Sequence, residues 1–387
     1  MKINSLKLSN FRCFKSNIFS FDAESDIVFI TGNNGTGKTS ILEAIFYSCY
    51  LKSFRTHLPA ELIRFNSDNC AIISNIHNST YNYNDSIDIN LNLANLKRSV
   101  KLNQKSITSC KELYNIFKVI TLTADDLKLI QDGPLYRRSF IDQTIAFTNP
   151  EYSSILSKYK RVLDNRNALL YKDRFDIESY LLWSDKFFQL SKTIQKLRIS
   201  ILKNLLQQVE SVSNIILKNI NNNYDLKLEY QYSEQFNIAN IENFEQLQQI
   251  YPSIQYQECN RKRTLFGPHL DDIKIAFTDK LTRNFASRGE QKLALVFLKL
   301  AQIYLFNNLN LSEHLESYEI NNNGLVDKSN TILLIDDFFS DFDTQKFNAI
   351  LSIIPQITSH AFITCPDLNF FSQSITLKKY KSQTISL

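Results

Sequence analysis

Glycine is scarce in this chain, with seven among 387 residues, and three of them stand together in FITGNNGTGKTSILEA, Phe29 to Ala44. A composition that avoids glycine and still gathers it at one place points to a loop whose backbone needs positive φ or close approach. Long hydrophobic runs are missing as well. No stretch approaches the about 18 apolar residues that a membrane-spanning helix needs. The first residues, MKINSLKLSN, lack the basic-then-apolar layout of a secretory leader, so a cytoplasmic location is expected. Six cysteines (Cys13, Cys49, Cys70, Cys110, Cys259, Cys365) lie far apart with no C-x-x-C pair and no neighbouring histidine, which argues against a zinc site and for reduced thiols. Charge of one sign is not dominant either. The formal net charge is +5, which permits a polyanionic partner without demanding one, so local clusters must decide.

What is present is a globular composition, 43% hydrophobic and 21% charged. KINSLKLSNF alternates as a strand pair does, and SDIVFITG is a short apolar run of the kind that forms a buried strand. From Lys38 to Leu51, Ile41, Leu42, Ile45, Phe46 and Cys49 recur at helical spacing. The order is strand, loop, helix. Further strands are expected between about 70 and 122, in SIDINLNLANL and NIFKVITLT. Arg137 to about Ile220 contains one proline and no glycine and reads as long helices. From Arg261 strand and helix signals alternate again, ending in TILLIDD and AFITCPD, after a polar, asparagine-rich stretch over 307–330 that reads as a surface loop or frayed helix. The expected architecture is therefore α/β with an inserted, mainly helical lobe. Its segments are 1–132, 133–262 and 263–387.

Gly32, Gly37, Lys38 and Thr39 satisfy G-x-x-x-x-G-K-[ST] in the strand-to-helix setting that a phosphate-binding loop requires. Gly32, Asn33, Asn34, Gly35, Thr36 and Gly37 would turn backbone N–H groups toward phosphate oxygens, and the helix start at Lys38, Thr39 and Ser40 would add its dipole. Lys38 suits the β- and γ-phosphates of ATP, and the Thr39 hydroxyl suits Mg2+. TILLIDD supplies the second element. It ends a buried strand on Asp336, a second Mg2+ ligand, and Asp337 follows as candidate base for an attacking water. A third element is ASRGEQKLALVFLKLAQ, a turn running into a helix that is apolar on nearly every side.

That third segment resembles the signature of ABC-type ATPases, and the chain as a whole resembles the RecF family of bacterial recombination mediators. The resemblance rests on LKLSNFRCFKS, LKSFRTH, DDLKLIQDGPLYRRSFID, YKRVLDNRNALL, GPHLDD, FASRGEQK and LLIDDFFSDFD, which follow in the family's order over nearly the whole length. It implies a P-loop ABC-type ATPase head that forms a homodimer on ATP, with Ser287, Gly289 and Gln291 reaching the nucleotide held by the other copy. It also implies slow, switch-like ATP hydrolysis, binding to single- and double-stranded DNA in repair and replication, and partners resembling RecR and RecO. Three positions depart from the family. Leu270 stands where arginine is usual and Ala124 where proline is common, and Ser340, Asp341, Phe342, Asp343 replace SELD, with Asp343 expected to communicate across the dimer.

For DNA the basic candidates are Arg137, Arg138, Lys158, Lys160, Arg161 and Arg166, followed by NRKR at 260–263. Cations without a base-reading module suit contact with the phosphate backbone. His360, after an apolar segment, reads as structural, and Thr364 is the better match to the family at that strand. Competing readings fit less well. A small-molecule phosphotransferase has no need of the signature turn, a transporter subunit would place that turn close before TILLIDD, and a chromosome-structuring protein would need long heptad arms.

Overall fold

The structure, a computed structural model, describes residues 1–78, 83–94, 97–107, 111–116, 118–149, 151–171, 176–218, 225–233, 241, 244–277, 280–314, 331–366 and 381–387. The elements up to residue 122 are β1 (Lys2–Phe11), β2 (Phe14–Ser20), β3 (Ile27–Thr31), α1 (Lys38–Tyr50), β4 (Asn69–Asn78), β5 (Tyr83–Asn92), β6 (Arg98–Leu102), β7 (Lys105–Ser106), α2 (Lys111–Ile116) and β8 (Lys118–Leu122). Next come α3 (Lys128–Gln131), α4 (Pro134–Thr148), α5 (Tyr152–Leu170), α6 (Ile177–Lys218), β9 (Leu226–Gln231) and α7 (Phe244–Arg261). They are followed by β10 (Asp272–Phe277), β11 (Lys280–Leu281), α8 (Thr282–Phe285), α9 (Arg288–His314), β12 (Thr331–Ile335), α10 (Thr344–Ile357), β13 (His360–Cys365) and β14 (Ser382–Ser386). The chain divides into two compact units, one of Met1–Asp126, Val212–Asn223 and Lys299–Leu387, the other of Leu127–Ser211 and Tyr224–Leu298.

The first unit holds two sheets. In the six-stranded sheet, ordered β2-β1-β4-β5-β6-β7, every pairing is antiparallel. Ile3 and Leu6 of β1 are three apart yet both buried, because the ladder with β4 slips between Ile3 and Ser5 and returns the next apolar residue to the core face. The five-stranded sheet, β14-β3-β13-β12-β8, is wholly parallel. Its strands β3, β12 and β13 are buried at every residue, which explains why their sequences are mostly apolar rather than alternating. Helix α1 touches β4 of one sheet and β8 and β13 of the other. Ser48 shares a hydroxyl contact of 2.7 Å with Ser74, and the Tyr50 hydroxyl donates to the Val119 carbonyl at 2.8 Å. Enclosed in this way, α1 carries apolar residues around most of its circumference.

The second unit is mainly helical, with one small antiparallel sheet ordered β11-β10-β9. Helix α4 begins at Pro134, whose fixed φ and missing N–H suit the first helical position. The centre of this unit is polar. Arg166 on α5 is fully buried and pairs with Glu258 on α7, and it also donates to Ser184, Thr264, Tyr180 and Tyr251. A second ion pair joins Arg198 on α6 to Asp142 on α4 at 2.8 Å.

The architecture is α/β with a mainly helical lobe, as the sequence leads one to expect. Strand β9 is an addition, since LKLEYQ lies in a region read as helical and pairs with β10 from Asp272 to Phe277. Of the polar stretch 307–330, the part up to His314 continues α9, and 315–330 lie outside the described residues. Five cysteines are free thiols, with Cys110 outside the described residues, and burial pushes the Cys70 thiol up to about 12. Among the described residues no helix is long and apolar enough to cross a membrane.

Candidate functional site

The loop between β3 and α1 follows a sheet strand and opens directly into a helix. Gly37, the residue before α1, has φ 108°, and a Cβ there would lie 2.5 Å from the Phe14 ring and 2.6 Å from Cys13 Sγ. Only glycine serves both demands. Gly35 has φ 87° with open space around it, so its backbone is approachable from outside. No side chain caps the start of α1, whose first N–H groups are therefore available to an anion. Lys38 is buried and folds back to donate to the carbonyls of Gly32 at 2.7 Å and Asn33 at 3.2 Å. Thr36 closes the loop by donating to the Asn33 carbonyl at 2.9 Å. Asn33 and Asn34 are exposed, while Ser40 is buried in the first turn of α1.

Strand β12 brings Asp336 to this loop. The Thr39 hydroxyl donates to Asp336 Oδ1 at 3.0 Å although the two are 297 positions apart in sequence. The Asp336 backbone N–H donates to the Leu122 carbonyl of β8 at 3.1 Å, which fixes the carboxylate at the C-terminal edge of the parallel sheet. Burial raises the Asp336 pKa above its ordinary value. The hydroxyls of Thr364 and Thr39 pull it back, Asp337 raises it further and Arg55 lowers it. A hydroxyl and a carboxylate converging at a glycine loop with a lysine form a donor set that fits a nucleoside triphosphate and a hard divalent cation.

Residues outside the four-position motif hold this arrangement. Glu43 of α1 is fully buried and receives a two-pronged contact from Arg12, at 2.8 and 2.7 Å, with Ser53 and Arg55 as further partners. Sequence reasoning passed over Glu43. The available signal was a carboxylate in the middle of an otherwise apolar helix. LKLSNFRCFKS and LKSFRTH meet on it. His360 is structural as expected, because it is fully buried and accepts the Ile3 N–H on Nδ1 at 3.3 Å.

Ser287, Gly289 and Gln291 belong to the second unit. Ser287 and Glu290 form a reciprocal capping box at the start of α9, with the Ser287 N–H donating to Glu290 Oε2 at 2.7 Å and the Glu290 N–H donating to Ser287 Oγ at 3.3 Å. Gln291 corrects an expectation. Its side chain is turned inward, donating to the carbonyls of Thr282 and Ala286 and accepting from Gln131 at 2.7 Å, so it braces the turn instead of offering its amide to a ligand.

The basic candidates divide. Arg137 is buried, bridged to Asp272 at 2.8 and 2.9 Å and bound to the Asp132 carbonyl, so its charge is spent inside the unit and the expectation of a DNA contact is withdrawn. Arg166 is corrected on the same ground. Arg138 is half-buried and donates to the Asp271 carbonyl, and burial together with Arg198 lowers its pKa. Lys158, Lys160 and Arg161 on α5 are exposed, as are Arg261, Lys262 and Arg263. Among the described residues, neither Lys160 nor Arg161 is paired.

A glycine-rich loop opening α1, a carboxylate strand beside it in a parallel sheet and a serine-capped signature helix define the class: a P-loop ATPase head of the ABC type with a mainly helical second lobe. The RecF/RecN/SMC N terminal domain family matches residues 2–385, and the chain belongs to it. The chain is 28% identical over 373 residues to the DNA replication and repair protein RecF of Clostridioides difficile strain 630, covering 95% of this chain and 92% of that one. It is 29% identical over 383 residues to the RecF of Clostridium kluyveri, covering 97% and 95%. Among solved structures, the recombination mediator protein RecF-ATP of the RecFOR pathway aligns with a TM-score of 0.75 at 23% identity, covering 95% of this chain and 92% of that one. An Smc head domain with an extended coiled coil from Pyrococcus furiosus aligns with a TM-score of 0.51 at 16% identity, covering 96% and 92%.

Proposed function

We propose that the protein is an ATP-dependent DNA-binding switch of the RecF kind, acting in recombinational repair and at replication forks. The carrying observation is the 3.0 Å contact between Thr39 and Asp336, which joins the phosphate loop to the carboxylate strand within one unit of a family member. In this reading Lys38 leaves the Gly32 carbonyl to meet the β- and γ-phosphates of ATP. Thr39 and Asp336 would hold Mg2+, which would supply positive charge beside the phosphates. Asp337 orients the attacking water and takes its proton.

Ser287 and Gly289 serve a second copy of the chain, so that two nucleotides join a homodimer and slow hydrolysis, stimulated by DNA, releases it. The work is apportioned along the sequence as 1–132 for the phosphate loop, 133–262 for the helical lobe and 263–387 for signature and carboxylate strand. Lys160 and Arg161 of α5, with Arg138 of the preceding helix α4, supply the backbone contact to DNA at gaps or junctions of single and double strands, and mediators resembling RecR and RecO act with it. A cytoplasmic site of action goes with this role.

The test is a titration with ATP and with a non-hydrolysable analogue, following molecular mass and binding to gapped DNA together. Both nucleotides should give a dimer that binds DNA, and only ATP should let it go. Lys38→Ala should do neither. A dimer that forms equally well with Lys38→Ala would overturn the switch.

A further inference from the structure

Immediately after β12 the chain takes an unfavourable turn. Asp337 has φ 45° and ψ 31°, the left-handed region that a residue with a Cβ rarely enters. Backbone of this kind persists where neighbouring structure holds it, and it is concentrated at working sites. The neighbour is Thr364, on the adjacent parallel strand β13. The Asp337 N–H donates to Thr364 Oγ1 at 2.9 Å, and the same hydroxyl donates to Asp336 Oδ1 at 2.8 Å. A threonine hydroxyl has a single proton. With its oxygen accepting from Asp337, that proton goes to Asp336, since the other acceptor within reach, the Ile335 carbonyl, is at the longer distance of 3.5 Å.

We propose that Thr364 is a positioning residue for ATP hydrolysis, fixing the direction of both acidic side chains through one hydroxyl. This rests on the reading of the site as an ATPase centre. Thr364 donates to the same Asp336 oxygen as Thr39, so Asp336 stays aimed when Thr39 turns to its own ligand. It holds the Asp337 amide, and with it the left-handed bend that sets where the Asp337 carboxylate points. Packing alone does not ask for a hydroxyl here. Every residue of β13 is buried, and valine would fill the same β-branched shape. The hydroxyl is the part that the packing leaves unexplained.

The test compares the wild type with Thr364→Val and Thr364→Ser, and with Thr364→Ala should the valine variant fail to fold. In Thr364→Val, kcat for ATP should fall by about ten- to a hundredfold, the usual effect of losing a partner behind a ligating side chain. The Kd for ATP should stay within about threefold, because the phosphate loop is untouched. Thr364→Ser should recover kcat to within about threefold of wild type. A second readout needs no nucleotide: amide exchange across 336–339 should speed up by about tenfold in Thr364→Val and stay near wild type in Thr364→Ser. Turnover in Thr364→Val within about twofold of wild type, or a serine variant as impaired as the valine one, would overturn the inference alone. Wild-type protein without ATP turnover, or with turnover that Lys38→Ala leaves intact, would overturn the ATPase reading and this inference together.

Discussion

His360 illustrates how one side chain ties stability to pH. It is fully buried on β13, Nδ1 accepts the Ile3 N–H, and Nε2 has no hydrogen-bond partner among the described residues. Burial pushes its pKa down to about 3 from the 6.5 of an exposed histidine, with the charge of Lys2 acting in the same direction. Between those two values the unfolded chain takes up a proton that the folded one refuses. Stability is therefore full above 6.5 and is lost as pH falls through that value toward 3. The loss between pH 6.5 and about pH 5 amounts to about 2 kcal/mol. His360→Asn keeps an acceptor near the Ile3 amide and removes the titrating ring. Urea unfolding at the two pH values should show a pH-dependent loss about 2 kcal/mol smaller in the variant, and an unchanged loss would place the proton uptake elsewhere.

At the scale of elements, helix α10 starts from Asp343, whose carboxylate accepts the Lys346 N–H at 2.8 Å and pairs with the Lys346 ammonium at 2.7 Å. As the N-cap it satisfies an otherwise open donor, so Asp343→Ala should cost about 1 kcal/mol in urea unfolding while Asp343→Asn costs little. This local role stands beside the communication that the family resemblance expects of the residue. The same scale separates what the sequence reveals from what it conceals. Strands β3, β12 and β13 were legible because burial on both faces leaves mostly apolar residues, and the ends of β3 and β12 were legible because Gly32 and Asp336 must stand there. The phosphate loop was legible because its chemistry needs particular residues at fixed spacing. Strand β9 was not, since half of its alternating residues face water and its partner β10 begins at Asp272, 41 positions after the Gln231 with which it pairs. Arg137 and Arg166 looked like free cations because Asp272 and Glu258 lie 135 and 92 positions away. Gln291 looked like a ligand-facing amide because its bonds to the Thr282 and Ala286 carbonyls depend on how the turn before α9 folds, which no spacing encodes.

For the whole molecule, the consequence of dividing one site between two copies can be tested without any structure of the dimer. Lys38 lies in one unit of the chain and Ser287 in the other. On the proposed arrangement, a phosphate loop from one copy closes on the signature turn of the next, so each dimer has two sites and each site uses both chains. Lys38→Ala should disable the loop side of both sites, and Ser287→Arg the signature side of both, leaving either variant inactive by itself. In a mixed dimer, one site combines both lesions while the other combines the intact loop of the Ser287→Arg chain with the intact signature of the Lys38→Ala chain. A mixed dimer carries one good site of two, so even complete mixed pairing of equal amounts should return ATP turnover to at most about half of the wild-type level. The return should depend on total protein concentration, because it requires association. Two inactive proteins that remain inactive when mixed, under conditions where mass measurements show mixed dimers, would mean that the loop and the signature turn do not complete each other between chains.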